Sequence, residues 1–392
     1  MDISVWEAES ASASLQKVKR VLLEPGANEL VLEVLHCGLC HSDLSMIDNS
    51  WGISQYPLVP GHEVVGRVVS VGAGVDSSAI GQIRGLGWIS GSCFRCNQCL
   101  AGTSNLCSSL EATIVGRQGG FASHVKAHQD WTIVLPKGMD PALAGPLFCG
   151  GITVFAPLLD EQVSPMAHVA VVGIGGLGHI ALQFAKAWGC EVTALTTDLT
   201  KAHEARGFGA HNVMLLKELP ALAGRFDLVI NTANQPLDWS AVMGSLAPRG
   251  RLHQLGAVLE PIQVSAFDLI SFRRSIMGSP TSSPVSLRKM MEFCVRHDIK
   301  PQVEHLPFDQ VNHAIERLHR GDVRYRFVLD QTTYGLMSLR LAVWLVLWSP
   351  SFSTTRGVEF SFYFLSLGLP SCSFDSPCIF ELFAISSAEF AI

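Results

Sequence analysis

Four cysteines between residues 93 and 107 have the spacing of a closed metal site. Cys93, Cys96, Cys99 and Cys107 are arranged as C-x2-C-x2-C-x7-C. Four thiolates in one loop can converge on a single tetrahedral ion, and Zn²⁺ accepts four sulfurs at about 2.3 Å when its role is structural. An iron–sulfur cluster, which also uses C-x2-C-x2-C runs, is the alternative. The segment predicts a structural zinc site.

A second group of metal-binding side chains is spread along the first 150 residues. Cys40, the pair His62-Glu63 and Cys149 offer two thiolates and an imidazole from three distant turns. Two cysteines and one histidine, with the fourth position left to water or substrate, form a known catalytic zinc arrangement. Taken singly, the histidine could be an ordinary turn residue and each cysteine a small buried side chain. They become persuasive as a second zinc site only with the motifs that surround them. A zinc ion held there would lower the pKa of a bound oxygen or polarise a carbonyl group.

A glycine-rich segment follows the β-forming residues 169–172. It places Gly173, Gly175, Gly176 and Gly178 in a G-x-G-x-x-G pattern, and the next residues keep the i, i+3, i+4 apolar spacing of a helix. In that context the glycines allow a tight turn and a close approach of pyrophosphate to the helix N-terminus. The segment predicts binding of a dinucleotide.

The turn after the second predicted strand bears on which dinucleotide binds. An acidic residue there normally holds the ribose 2′-OH of NAD, whereas this chain has Thr196, Thr197 and Lys201. Hydroxyls and a lysine can receive the 2′-phosphate of NADP(H). Asp198 lies in the same turn and would favour NAD(H) if its carboxylate faced the ribose, so NADP(H) is predicted and NAD(H) is kept as the alternative.

Three longer motifs surround the second metal group: CHSD at residues 40–43, YPLVPGHEVVGRV at 56–68 and FCGGITV at 148–154. With them the chain closely resembles the zinc-containing medium-chain dehydrogenases, and within these the cinnamyl alcohol dehydrogenase-like and bacterial aldehyde reductase branch. The resemblance covers residues 3–330. It implies reversible hydride transfer between a primary alcohol or aldehyde and the nicotinamide.

The resemblance also implies a role for each residue of the site. Cys40, His62 and Cys149 would hold the catalytic zinc, and Glu63 would be the acidic residue that can approach the metal during exchange of water or product. Their neighbours would support them: Asp43 would orient His62, Ser42 would relay the proton of the substrate, and His41 would lie near the cofactor pyrophosphate.

The elements that must position these residues fall into two classes. Short apolar runs broken by Gly, Pro, Asn and Asp continue to about residue 135, and strands alternating with helices begin near residue 168. We predict an α/β protein with a β-rich domain (1–150), a Rossmann domain with a doubly wound parallel sheet (151–285), a return segment packing on the first domain (286–330) and an atypical tail (331–392), disordered or loosely packed. The family resemblance implies that the β-rich domain is a GroES-like, zinc-binding catalytic domain.

Composition excludes several classes of partner. The 392 residues carry a formal net charge of -6 without a long run of like charges, so neither nucleic acid nor a membrane is expected. The polar, acidic start has no signal-peptide pattern, and a cytoplasmic location is predicted. The apolar residues 336–348 are too short for a bilayer span. Related enzymes suggest a homodimer or homotetramer.

Two other functions are alternatives to an alcohol dehydrogenase. An NAD-dependent polyol dehydrogenase would be expected to carry an acidic third zinc ligand and an acidic ribose-binding residue, where this chain has Cys149 and Thr196. A non-catalytic protein that binds zinc and nucleotide, with its site blocked by the tail, is the other alternative. The sequence does not name the alcohol or aldehyde.

Overall fold

The computed structural model describes residues 1–331. Nearly all of the predicted tail, including the apolar residues 336–348, lies outside the described residues.

The first part of the chain is built mainly from short strands. Its strands are β1 (Asp2–Glu7), β2 (Gln16–Val21), β3 (Glu29–Leu39), β4 (Glu63–Val71), β5 (Ile83–Leu86), β6 (Ile89–Gly91), β7 (Glu111–Ala112), β8 (His124–His128) and β9 (Thr132–Val134). Its helices are α1 (His41–Ile47), α2 (Asn97–Leu100), α3 (Pro141–Ala144) and α4 (Gly150–Asp160). The long strand β3 pairs antiparallel with both β4 and β8, and β4 continues the sheet through β5 to β9.

The second part alternates strands and helices. Its strands are β10 (His168–Val172), β11 (Glu191–Thr196), β12 (Asn212–Leu215), β13 (Phe226–Asn231), β14 (Leu246–Gln254) and β15 (Ser275–Gly278). Its helices are α5 (Gly178–Trp188), α6 (Ala202–Gly207), α7 (Trp239–Ser245) and α8 (Ala266–Ile270). The six strands are parallel in the order β12-β11-β10-β13-β14-β15. That order is the 3-2-1-4-5-6 of a Rossmann sheet, which binds dinucleotides where the strand order reverses.

The last described elements return to the first part of the molecule. They are α9 (Pro284–His297), β16 (Val303–Pro307), α10 (Val311–His319) and β17 (Arg326–Asp330). Strand β17 pairs antiparallel with β3, and β16 extends the same sheet by pairing with β17. Residues from both ends of the described chain therefore build one seven-stranded sheet, next to the end of β3 where Cys40 lies.

The apolar side chains form three clusters. One fills the first sheet and includes Phe121 and Phe327, and two cover the faces of the Rossmann sheet, one of them also taking in Val65 and Ile133 from the first part. Within residues 1–331, no single helix has the length and apolarity to cross a membrane. One bent pair, Pro141–Phe148 with Gly150–Asp160, passes that test only jointly, at an angle of 59°, and α4 in this pair is a mostly buried core helix.

Candidate active site and metal-binding clusters

Three element ends bring the second metal group together. Cys40 immediately precedes α1, His62 immediately precedes β4, and Cys149 immediately precedes α4. Their ligand atoms and a carboxylate oxygen of Glu63 all lie within 4.8 Å of one another. The histidine is fully buried, and the two cysteines are 4% and 8% exposed. Two sulfurs, one imidazole nitrogen and one carboxylate thus face a common point in the interior.

Asp43 fixes the orientation of the His62 ring. The Nδ1 of His62 lies 3.0 Å from Asp43 Oδ1, while its Nε2 lies 3.3 Å from the sulfur of Cys149. The carboxylate is itself held, because it accepts hydrogen bonds from the backbone N–H groups of Gly61 and Cys40, each at 2.9 Å. Burial disfavours the charged imidazole, but the adjacent Asp43 outweighs it and raises the pKa of His62 to about 9. Nε2 is the nitrogen left to a metal.

Glu63 has a partner that the sequence reasoning did not find. Arg326, at the start of β17, donates from Nη2 to Glu63 Oε1, and its Nη1 lies 3.8 Å from the sulfur of Cys40. Both side chains are almost fully buried. The other oxygen, Oε2, has no hydrogen-bond partner within residues 1–331. The signal available in the sequence was a charged residue opening the apolar run RFVL of a strand, since charges are rarely buried unless they are paired.

Arg326 also connects this cluster with the glycine-rich segment. A Cβ atom added to Gly176 would lie 2.8 Å from Cδ of Arg326. The guanidinium therefore lies between the metal-binding group and the nucleotide segment, two features that the sequence places far apart.

A cleft opens above Cys40 and Cys149 and is lined by both parts of the molecule. His41 and Ser42 from α1 line it on one side, and Leu177, which precedes α5, on the other. The Oγ of Ser42 lies 3.7 Å from the sulfur of Cys40. The cleft therefore opens onto the buried sulfurs and is bordered by the glycine-rich segment through Leu177.

Two tryptophans form the apolar wall of the cleft. Trp51 meets Trp88 edge-to-face at 5.8 Å, and Trp88 meets the ring of His62 at 5.0 Å. Sequence analysis did not single out Trp88, because nothing in its local pattern distinguishes it from a core aromatic.

The glycine-rich segment forms the turn between β10 and α5. Gly173 has φ +87°, a conformation that glycine adopts without strain, and a Cβ on Gly178 would lie 1.9 Å from the carbonyl oxygen of Gly173. A Cβ on Gly175 would meet no described atom within 4 Å. The first and last glycines thus close the turn, and the middle one leaves open space at the helix N-terminus, where pyrophosphate is favoured.

The turn after β11 contains the residues predicted to select the dinucleotide. Thr196 is buried, and its hydroxyl donates to the carbonyl of Asp198 at 3.0 Å, while Thr197 is exposed. The carboxylate of Asp198 caps the following turn by accepting from the N–H and the hydroxyl of Thr200. Lys201 donates to the carbonyl oxygen of Ile174 at 3.3 Å. The ammonium thus lies against the glycine-rich turn, and the carboxylate is occupied elsewhere.

The four loop cysteines also converge. Cys93, Cys96, Cys99 and Cys107 bring their sulfurs within 4.8 Å of one another, and Cys93 lies 3.5 Å from Cys107 and 3.9 Å from Cys99. The backbone N–H groups of Arg95 and Cys96 lower the pKa of Cys93 to about 6, which favours the thiolate that a metal requires. This loop lies beside β6 and α2 and does not line the cleft.

Comparisons with known proteins agree with this geometry. Residues 26–137 match the alcohol dehydrogenase GroES-like domain, and residues 176–296 match the zinc-binding dehydrogenase domain. The aldehyde reductase AdhA of Synechocystis is 50% identical over 333 residues, which cover 84% of this chain and 99% of that protein.

Two solved structures are also similar over most of their length. A cinnamyl alcohol dehydrogenase from Sorghum bicolor superposes with a TM-score of 0.81 at 34% identity, covering 84% of this chain and 98% of that one. A Helicobacter pylori enzyme described as CAD complexed with NADP(H) has a TM-score of 0.78 at 25% identity and the same coverages. The resemblance and the fold class predicted from the sequence are confirmed. The chain belongs to the zinc-containing medium-chain alcohol dehydrogenases, a family of oxidoreductases with a GroES-like and a Rossmann domain.

Proposed function

We propose that this protein is a zinc-dependent, NADP(H)-preferring alcohol dehydrogenase that interconverts primary alcohols and aldehydes. The observation that carries the proposal is the convergence of Cys40, His62 and Cys149 at the base of a cleft that the glycine-rich turn also borders. A buried 2-Cys, 1-His donor set beside an open cleft is suited to a zinc ion with one position free for substrate.

The residues present fit a divalent cation. Two of the three proposed ligands are sulfurs, the histidine presents Nε2 because Asp43 holds Nδ1, and the buried Oε2 of Glu63 has no partner within the described residues. Zinc in this position supplies a Lewis acid for the substrate oxygen, and the nicotinamide supplies or accepts the hydride.

Three neighbouring side chains would each have a separate role in the reaction. Ser42 is placed to exchange a proton with the substrate oxygen, because its hydroxyl lies beside the sulfur of Cys40 and lines the cleft. Arg326 engages Glu63 through Oε1, which leaves Oε2 able to approach a metal ion bound at this cluster. His41, at the first position of α1, would border the cofactor.

We propose a structural zinc ion for the four loop cysteines, because a closed set of four sulfurs leaves no position for substrate. Each chain would then bind two zinc ions. The division at residues 150, 285 and 330, the cytoplasmic location and the homodimer or homotetramer stay predictions from the sequence.

The turn after β11 supports NADP(H) over NAD(H). Lys201 brings a positive charge against the glycine-rich turn, and the carboxylate of Asp198 is engaged by Thr200. Thr197 is exposed and offers a hydroxyl. Because the hydroxyl of Thr196 is used within the turn, we assign the 2′-phosphate chiefly to Thr197 and Lys201. The Helicobacter pylori structure described with NADP(H) gives independent support.

Elemental analysis together with a cofactor comparison tests the proposal. Purified protein should contain two zinc ions per chain, and a panel of aliphatic and aromatic aldehydes should be reduced with a lower KM for NADPH than for NADH. One zinc ion, or iron with visible absorbance, would contradict the assignment of the two metal sites. A lower KM for NADH would contradict the assignment of the 2′-phosphate.

A further inference from the structure

Three arginines line a pocket at the amino-terminal edge of the Rossmann sheet. Arg249, Arg251 and Arg273 surround it, together with the loop between α4 and β10 and the beginnings of β13 and β15. We call it the arginine pocket. Its volume of 630 Å³ lies within the range of ligand-binding pockets, roughly 300–1,000 Å³. The pocket shares no lining residue with the cleft, so the two are separate.

The arginine pocket and the glycine-rich turn lie at opposite edges of the sheet. Ala167, which lines the pocket, immediately precedes β10, whereas Gly173 immediately follows the same strand. A dinucleotide binds a Rossmann sheet at the carboxyl ends of its strands. The phosphates of the proposed cofactor would therefore not occupy the arginine pocket.

Two of the three arginines have no acidic partner among the described residues. Arg251 is paired with Glu161, whose Oε2 lies 3.0 Å from the Nη1 of the arginine. Arg249 and Arg273 are exposed, and within residues 1–331 neither forms an ion pair. Their guanidinium groups are therefore available to an anion.

The other polar groups of the lining do not cancel this charge. Asp227 supplies the one carboxylate among the described lining residues, and it accepts a hydrogen bond from the backbone N–H of His168 at 2.8 Å. The hydroxyl of Ser164 accepts from the N–H of Met166 at 3.1 Å, which leaves its own proton to donate. The arginine pocket thus keeps a net positive charge and additional hydrogen-bond donors.

The backbone around the arginine pocket adopts a conformation that residues with a side chain rarely take. Gln162, Arg249 and Arg273 all line it and have φ values of +49°, +68° and +53°. Seven non-glycine residues within 1–331 have positive φ, so three of the seven meet at this pocket. Such conformations cost free energy and cluster at functional sites. The N–H of Arg249 also donates to the carbonyl of Phe272 at 2.8 Å, which joins the two turns that carry the exposed arginines.

We propose that the arginine pocket binds the phosphate group of a small molecule, at a site separate from the cleft. Each of the two unpaired guanidinium groups presents a planar fork of N–H donors that matches the oxygens of phosphate. A phosphate monoester carries a charge of about −1.5 to −2 at pH 7, which suits two arginines better than the single charge of a carboxylate does. This inference goes beyond the proposed function and does not depend on it.

Calorimetric titration of the full zinc-loaded chain tests the site with two probes, inorganic phosphate and phenyl phosphate. Each is titrated with and without saturating NADPH. Wild type should bind one equivalent of at least one probe, and NADPH should leave that affinity unchanged. Arg249→Gln and Arg273→Gln should each raise the Kd of the probe about tenfold, because each removes a charge-assisted hydrogen bond. Because both side chains are exposed, circular dichroism and Tm should match those of wild type.

A matched control removes two arginines outside the arginine pocket. Arg225 lies at the same edge of the sheet, immediately before β13, and Arg296 is an exposed residue of α9. The double variant Arg225→Gln/Arg296→Gln should bind the probes as wild type does. Phenyl phosphate bound at least as tightly as inorganic phosphate would identify a phosphorylated organic molecule as the ligand. Weaker binding of phenyl phosphate would identify the free ion.

Three results would overturn the proposal. The first is that wild type binds neither probe at millimolar concentrations. The second is that NADPH abolishes binding, which would place the phosphate in the cofactor site. The third is that the double variant Arg249→Gln/Arg273→Gln binds as tightly as the control double variant, which would show that the arginine pocket is not where the probe binds.

Discussion

The two cysteine clusters differ in how the chain assembles them. The cluster of Cys93, Cys96, Cys99 and Cys107 comes from one loop, and three of its members are partly exposed. The cluster of Cys40, His62 and Cys149 comes from three distant element ends and is buried. The first can form from local chain geometry, whereas the second exists only when the sheet, α1 and α4 are in place.

Because the two clusters are assembled differently, we expect loss of metal from each of them to have opposite effects. A metal ion held by four sulfurs would have no free position for substrate, so we expect it to contribute to folding alone. The buried cluster borders the cleft and is supported by the surrounding fold, through Asp43 and Arg326. Loss of its ion should therefore remove activity and leave the fold intact.

The largest expected effect is that of Cys149→Ser. Removing one of three proteinaceous donors should release the catalytic ion and lower turnover roughly a thousandfold or more, equivalent to about 4 kcal/mol of barrier. Zinc content should fall from two ions to one while Tm changes little. Cys190→Ser, at a buried thiol outside both clusters, is the control. Full zinc content and activity in Cys149→Ser would remove the distinction between the two clusters.

The loop cluster should show the reverse pattern. Cys99→Ser should lower the free energy of unfolding by about 2 kcal/mol or more, a fall in Tm of roughly 5 °C, because binding energy at a structural zinc is folding energy. Thermal denaturation with and without a chelator measures it. Variants at Cys99 and Cys149 that behave alike would show that the two ions share one role.

Asp43→Asn should weaken metal binding at the buried cluster only. Of the two clusters, this one has a histidine, and a buried carboxylate orients it. Loss of such a partner commonly costs about 10–100-fold in metal affinity. Competition with a chelator should show this loss for one of the two ions only. Asp76→Asn, at an exposed turn cap, should leave both ions unaffected. Equal weakening of both ions would point to a general loss of structure.

The smallest expected effect concerns the turn after β11. Its residues, like those of the cysteine loop, lie close together in the sequence. Lys201→Met should shift the NADPH/NADH ratio of kcat/KM toward NADH by about tenfold, because one charge-assisted hydrogen bond contributes about 1.5–3 kcal/mol. Lys300→Met, at an exposed lysine paired with Asp298, is the matched control. An unchanged ratio would place the 2′-phosphate elsewhere.

Local spacing explains what the sequence could predict. The loop cysteines and the glycine-rich turn are each contained in one short segment, so residue type and interval were sufficient. The alternation of strands and helices in the Rossmann domain was also recognisable in the sequence, and it predicted the fold class. The ligands at residues 40, 62 and 149 required the family resemblance, because no short-range pattern joins them.

The missed residues were those that only tertiary contacts reveal. Arg326 meets Glu63 across 263 residues of chain, and nothing near either residue indicates the pair. Trp88 likewise enters the site through packing, since its ring meets that of His62. The hydroxyl of Thr196, whose contact with the cofactor stays a prediction, donates to the carbonyl of Asp198 within its own turn, a local hydrogen bond that residue spacing does not reveal.

The pairing of β17 with β3 has a consequence for synthesis of the protein on the ribosome. Strand β3 ends next to Cys40, yet its neighbour β17 is translated only after the entire Rossmann domain. Until residue 326 has left the exit tunnel, the carboxylate of Glu63 lacks the cation that neutralises it in the finished interior. The sheet that carries the buried site therefore cannot be completed before the Rossmann domain has been synthesised, and this site is among the last parts of the described chain to mature.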